Sequence, residues 1–115
     1  MKRVLIAFAG VLLAPATLAA DCSPAGRYRL EGVMEMGSGL LLEADGTYRW
    51  YAAYGALDQV SEGRWRREGD IVVLSPEKSE SNDPATPVFV PRRLLISGDV
   101  LTPEGMGEAR YVKGE

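Results

Sequence analysis

The chain has 115 residues, 46% hydrophobic and 25% charged, which suits one small globular domain and excludes two independent cores. It is not compositionally disordered, collagenous or coiled coil. It carries a formal charge of −3, one cysteine and no histidine, so histidine-based catalysis and an intramolecular disulfide are both excluded.

Residues 1–20 read MKRVLIAFAGVLLAPATLAA. Lys2 and Arg3 precede an apolar run over residues 4–13 that is too short to span a bilayer as a helix. Pro15 breaks the run and small residues follow, the pattern of a secretory signal peptide cleaved after Ala19 or Ala20. The expected product is periplasmic or secreted. The remaining chain has 11 Lys and Arg against 16 Asp and Glu, a net charge of −5. That balance disfavours nucleic-acid or anionic-membrane partners, and no second apolar stretch is long enough for a membrane span. Cys22 falls at the new N-terminus. A free thiol on a flexible mature N-terminus (residues 21–25), an intermolecular or mixed disulfide, and a lipid anchor all remain open. Asp21 immediately before Cys22 argues against the lipid anchor.

Residues 26–115 read as one domain of short alternating runs punctuated by turns, which means strands. The first strand is expected over 27–34, with Tyr28, Leu30 and Met34 on one face and Arg27, Arg29 and Glu31 on the other. Gly32 marks a bulge or a close backbone approach. Residues 37–39 (GSG) are expected to turn the chain into a second strand, 40–43. Ala44-Asp45-Gly46 is a strong hairpin signal. The third strand, 47–54, alternates Tyr48, Trp50, Ala52 and Tyr54 against Thr47, Arg49, Tyr51 and Ala53. A turn over 55–58 leads to a fourth strand, 59–67, with Ser61, Gly63 and Trp65 on one face. Residues 68–70 turn into a fifth strand, 71–75, apolar on both faces and therefore covered twice.

Centring the hairpins on these turns pairs Leu42 with Tyr48, Tyr48 with Trp65, and Trp65 with Leu74. It also pairs Leu40 with Trp50 and sets Gly63 beside that indole. Arg49 falls opposite Arg64, with Arg66 nearby, a like-charge pair that needs Glu43 or Glu62 to neutralise it. Residues 76–87 (PEKSESNDPATP) are expected as an exposed loop. A run over 88–96 follows, split or pushed to an edge by Pro91. Residues 97–99 turn into 100–102, a glycine-rich loop covers 103–108, and a last strand over 109–112 closes the sheet against the first. The fold expected from these elements is all-β: an antiparallel up-and-down meander of seven or eight strands forming a small barrel or tightly coiled sheet.

Gly26-Arg27-Tyr28, then Leu42 to Tyr48, then Gly63-Arg64-Trp65, then Gly69 to Leu74 resemble, in that order, small lipocalin-like barrel modules of the bacterial envelope. The N-terminal domain of copper-resistance and envelope-stress lipoproteins is one example. The resemblance covers residues 26–75 and implies a fold rather than a function. The Cys-x-x-Cys pair of that domain is absent, so no metal or redox role is carried over.

No catalytic constellation is read. The turn aspartates Asp45, Asp58, Asp70 and Asp99 suit backbone hydrogen bonding, and only Lys78 and Lys113 remain as lysines after the leader. No enzyme activity, metal site, organic cofactor or phosphate-cradling loop is expected. Met34, Met36 and Met106 read as packing or loop residues rather than soft-metal ligands. Tyr28, Tyr48, Trp50 and Trp65 are the expected core aromatics. Tyr51, Tyr54, Arg49, Arg64 and Arg66 are the candidate ligand contacts. Two functions follow as expectations: an exported non-catalytic binding protein for an unidentified small ligand, seated at a mouth framed by residues 37–39, 54–58 and 76–87; or an envelope module that docks on a protein through an edge strand or the Arg49/Arg64/Arg66 face.

Overall fold

The computed structural model describes residues 23–114. The expected signal peptide and Cys22 lie outside the described residues. Eight strands follow one another: β1 (Gly26–Glu31), β2 (Met36–Leu42), β3 (Thr47–Tyr54), β4 (Leu57–Glu68), β5 (Ile71–Ser81), β6 (Arg93–Ser97), β7 (Val100–Pro103) and β8 (Arg110–Lys113). Each pairs antiparallel with the next, and β8 closes on β1, with Leu30 opposite Tyr111. The all-β meander therefore closes into a barrel, which removes most of the free sheet edge.

The period-two alternation decides what faces inward. Tyr28, Leu40, Leu42, Tyr48, Trp50, Val72, Leu74, Leu94, Leu101 and Tyr111 are buried and form one continuous core. Trp65, expected in that core, packs against it half-buried and donates its indole N–H to the Glu43 carbonyl at 2.8 Å. The tight turn at Asp45-Gly46 is stabilised by Asp45, which accepts from the Thr47 amide (3.0 Å) and hydroxyl (2.7 Å). Those bonds hold its carboxyl below the usual carboxylate range.

Polar groups inside the barrel are paired. The Trp50 indole N–H donates to the Tyr111 hydroxyl at 3.0 Å, and Ser38 donates to the Tyr51 carbonyl at 2.6 Å. Because the single Ser38 proton goes to that carbonyl, the 2.8 Å contact between Tyr111 and Ser38 has Tyr111 as donor. The result is one directed chain from an indole through two hydroxyls to a backbone oxygen. A second set joins Tyr48 to Ser61 (2.8 Å) and Ser61 to Ser79 (3.0 Å).

Several local expectations are corrected. The 37–39 segment is not a turn but the middle of β2. The chain reverses one step earlier, where Glu35 adopts a positive φ of 62°. The Tyr51 ring lies across Gly39: a Cβ at Gly39 would come within 2.6 Å of Tyr51 Cε1. Met34 leaves the sheet and is 84% exposed, while Met36 packs against the core. Gly32 makes the close backbone approach, to the Glu108 carbonyl.

The turn between β3 and β4 is shorter than expected. Tyr54 pairs with Leu57, leaving only Gly55 and Ala56 between them. The β3–β4 register accordingly moves by two residues: Tyr48 faces Gly63 and Trp50 faces Ser61, instead of Trp65 and Gly63. Leu42–Tyr48, Leu40–Trp50 and Trp65–Leu74 pair as expected. Asn82, just past the end of the neighbouring strand β5, holds the turn. It donates to the Ala56 carbonyl (2.8 Å) and accepts from the Asp58 amide (2.9 Å).

The expected loop over 76–87 is also corrected, because β5 runs on to Ser81. Pro76 sits opposite Gly63 at a β-bulge, where a missing N–H is tolerated. Gly63 makes room for this strand and not for an indole: a Cβ there would lie 2.3 Å from the Ser75 carbonyl oxygen. The run expected over 88–96 becomes a strand only at Arg93. Before it, Phe89 meets Trp50 edge-on at 5.8 Å and Val90 is buried. Buried Gln59 fastens this segment, donating to the Pro87 carbonyl (3.0 Å) and accepting from the Phe89 amide (3.1 Å). Residues 87–90 thus cover part of the core that no strand covers.

Candidate functional site

Tyr28, Tyr48, Trp50 and Tyr111 pack inside the barrel, and the segments expected to frame a mouth are built differently: residues 37–39 lie in β2, residues 76–81 lie in β5, and Asn82 bonds the turn between β3 and β4. A concavity lies on the outer face, a groove of about 720 Å³ crossing β1 to β5. That volume falls in the range of small-molecule sites.

The strand registers build the groove from two parallel rows. One runs Arg29, Gly39, Tyr51, Val60, Glu80; the other runs Arg27, Leu41, Arg49, Glu62, Lys78. Each row crosses five strands, roughly 19 Å at the usual interstrand spacing. Tyr51 and Val60 are 52% and 49% exposed, a large apolar surface on the solvent side of a sheet. The flat ring of Tyr51 over Gly39 leaves the floor shallow, and the backbone of Tyr51 is tied to the core by Ser38.

The rim is charged. Arg29 pairs with Glu31 at 3.3 Å and Lys78 meets Glu80 at 3.9 Å, both exposed contacts. Arg27 and Arg49 line the groove on either side of Leu41, and neither makes an ion pair among the described residues. Arg49 faces Glu62 across the ladder, not Arg64 as expected, so the like-charge pair does not arise.

The remaining candidates disperse. Arg64 faces Thr47 and lies beside Gly46, its Nη2 3.4 Å from where a Cβ of that glycine would be. Arg66 is held by Glu68 at 2.7 Å. Both border a separate depression of about 300 Å³ with Trp65. Tyr54 is exposed at the end of β3 and does not line the groove. Of the five contacts expected, Arg49 and Tyr51 come together in the groove. Arg27, Arg29, Leu41, Val60 and Lys78 are the members that sequence reasoning missed. Their signal was present in the alternation, which turns Arg27 and Arg29 outward and leaves Leu41 and Val60 as apolar residues at outward positions.

Burial pushes the Tyr28 hydroxyl up to about 12, with the Asp99 charge adding to the effect. Burial also raises Tyr48 and Tyr111. These phenols are structural: Tyr28 donates to the Pro24 carbonyl at 2.6 Å, and the other two belong to the interior hydrogen-bond chains. Among the described residues no group of three or more His, Cys, Asp or Glu is placed to hold a metal ion, and no helix is long and apolar enough to cross a membrane. Comparison with protein-family models, curated proteins and solved structures finds no match.

Proposed function

We propose that the chain is an exported binding protein that acts without catalysis, and that the outer groove of β1 to β5 is its binding surface. The observation that carries this reading is a groove of about 720 Å³ in which two arginines, neither ion-paired among the described residues, flank an apolar floor. Exposed aromatic and aliphatic side chains beside unengaged guanidiniums have more to gain from a ligand than from water alone. The leader over residues 1–20 supports export, and the absence of histidine supports a non-catalytic role. The likeness to small barrel modules of the bacterial envelope belongs to the same reading.

Native mass spectrometry of the protein taken without denaturation from its export compartment tests it. A stoichiometric extra mass that disappears in Tyr51→Ala supports the groove. A bare protein, or an adduct indifferent to Tyr51→Ala, counts against it. The same spectrum reports leader cleavage and any adduct on Cys22.

A second reading, docking on an envelope protein, is favoured by one feature. β5 pairs with β6 only over Ile71–Val73, so its outer part has β4 as its ladder partner along one side. Pull-down with wild type and Arg64→Glu separates an edge contact from the basic face: partners lost with Arg64→Glu assign the face, and partners retained assign the edge.

A further inference from the structure

Resting on the reading of the groove as the binding surface, the geometry points to an amphipathic monoanion as its ligand. The apolar or aryl body lies along Gly39, Tyr51 and Val60. A single carboxylate, sulfonate or phosphate head sits above Leu41 between Arg27 and Arg49.

Three observations converge on that class. First, the two rows differ in character. The row through Gly39, Tyr51 and Val60 is uncharged over three successive strands, while the row beside it sets Arg27 and Arg49 on the two neighbours of Leu41. A molecule lying across the strands therefore meets apolar surface along its length and guanidinium on one flank. Second, the groove is positive on a negative protein. It holds Arg27, Arg29, Arg49 and Lys78 against Glu62 and Glu80, within a chain of formal charge −3. A wholly apolar ligand would strip water from Arg27 and Arg49 and return no partner, which is unfavourable. An anionic head returns charge-assisted hydrogen bonds, and the planar fork of arginine suits it.

Third, the charge is limited in extent. Glu62 follows Arg49 on the same row, and Glu80 ends the apolar row. A second anionic group next to the first would meet Glu62 before it reached Lys78, which is itself 3.9 Å from Glu80. The interleaved carboxylates disfavour a polyanion such as nucleic acid and favour one head group with an apolar remainder.

Two dyes that share an aryl body and differ in charge test the class: anilinonaphthalene sulfonate, which is anionic, and N-phenyl-naphthylamine, which is neutral. Each is titrated by fluorescence into the purified protein, with circular dichroism confirming that every variant is folded. The sulfonate is expected to bind at least about fivefold more tightly than the neutral dye, with the difference shrinking at high salt. Arg27→Gln and Arg49→Gln are each expected to weaken the sulfonate about threefold and leave the neutral dye unchanged. Tyr51→Ala weakens both dyes. Arg66→Gln, outside the groove, changes neither. Equal binding of the two dyes, or indifference of the sulfonate to both arginine variants, overturns the anionic assignment while leaving a groove that binds. Failure of both dyes to bind wild type overturns the groove itself and the assignment with it.

Discussion

Two glycines at ordinary strand positions make opposite demands on the fold, and replacing each with alanine tests the packing directly. Neither Gly39 nor Gly63 has a positive φ, so an alanine at either site is compatible with the backbone angles. The difference lies in what the added methyl meets. At Gly63 it comes within 2.3 Å of the Ser75 oxygen, 2.8 Å of the Glu77 nitrogen and 3.0 Å of the Pro76 Cα. All three are backbone atoms of β5, so the two strands must separate and the bulge must be rebuilt. Overpacking of this kind costs typically about 1–3 kcal/mol, against which the stiffer unfolded chain returns about 0.4–1 kcal/mol. The expected net loss for Gly63→Ala is about 1.3 kcal/mol, a fall in Tm of about 5–10 °C for a domain of this size. At Gly39 the methyl meets Tyr51 Cε1 at 2.6 Å, the far end of a half-exposed ring that can swing into solvent. There the two effects nearly cancel, and Gly39→Ala is expected within about 1 kcal/mol of wild type. It should nevertheless weaken dye binding, because the displaced ring no longer forms the groove floor. Thermal and urea unfolding, followed by circular dichroism and tryptophan fluorescence, supply both numbers. A Gly63→Ala protein within about 0.5 kcal/mol of wild type, or equal losses at the two sites, would refute the β4–β5 bulge and the Tyr51–Gly39 contact as described.

Other consequences are equally direct. Gln59→Leu leaves the Pro87 carbonyl and the Phe89 amide without their side-chain partner, for about 1–3 kcal/mol, and should release hydrogen-exchange protection at Phe89 before the strands open. Tyr111→Phe removes the acceptor of the Trp50 indole N–H and a donor to Ser38, a loss of about 1–3 kcal/mol in denaturant unfolding with altered tryptophan fluorescence. Alkaline stability follows from Tyr28, Tyr48 and Tyr111, all raised by burial in the folded state. The unfolded chain releases these protons first, so stability is full below the ordinary tyrosine pKa of 10.0 and is lost as pH rises from there through about 12, the value reached by Tyr28. Tm measured across that window should fall steadily, and a flat profile would contradict the burial of these phenols.

Much of the barrel is visible in the chain because alternation and turn chemistry are local. Thr47–Tyr54 is recognisable as a strand from its alternation alone, and Asp45-Gly46 and Gly69-Asp70 mark their turns by composition. Inward and outward faces survive even where the β3–β4 register is wrong, since an error of two residues keeps parity. Gly39 and Gly63 were misread because sequence does not say why a glycine is there. A turn, a ring laid across the strand, or a neighbouring backbone all leave the same residue. The extension of β5 over Pro76 to Ser81 was hidden because its residues are polar: β4 holds them by its ladder rather than by burial.

The sequence by itself determined an all-β meander with Tyr28, Tyr48 and Trp50 inward, Arg27, Arg29 and Arg49 outward, and no histidine chemistry, because these depend on residue type and on a period of two. Tertiary structure alone decided the two-residue turn at Gly55-Ala56, which Asn82 secures from 26 positions away, and hence which residues face one another across β3 and β4. It also decided the groove. Arg27, Leu41 and Arg49 are separated in the chain by intervening turns and become neighbours only through the pairing of three strands. A binding surface assembled across a sheet depends on register, and register is set by contacts between distant segments.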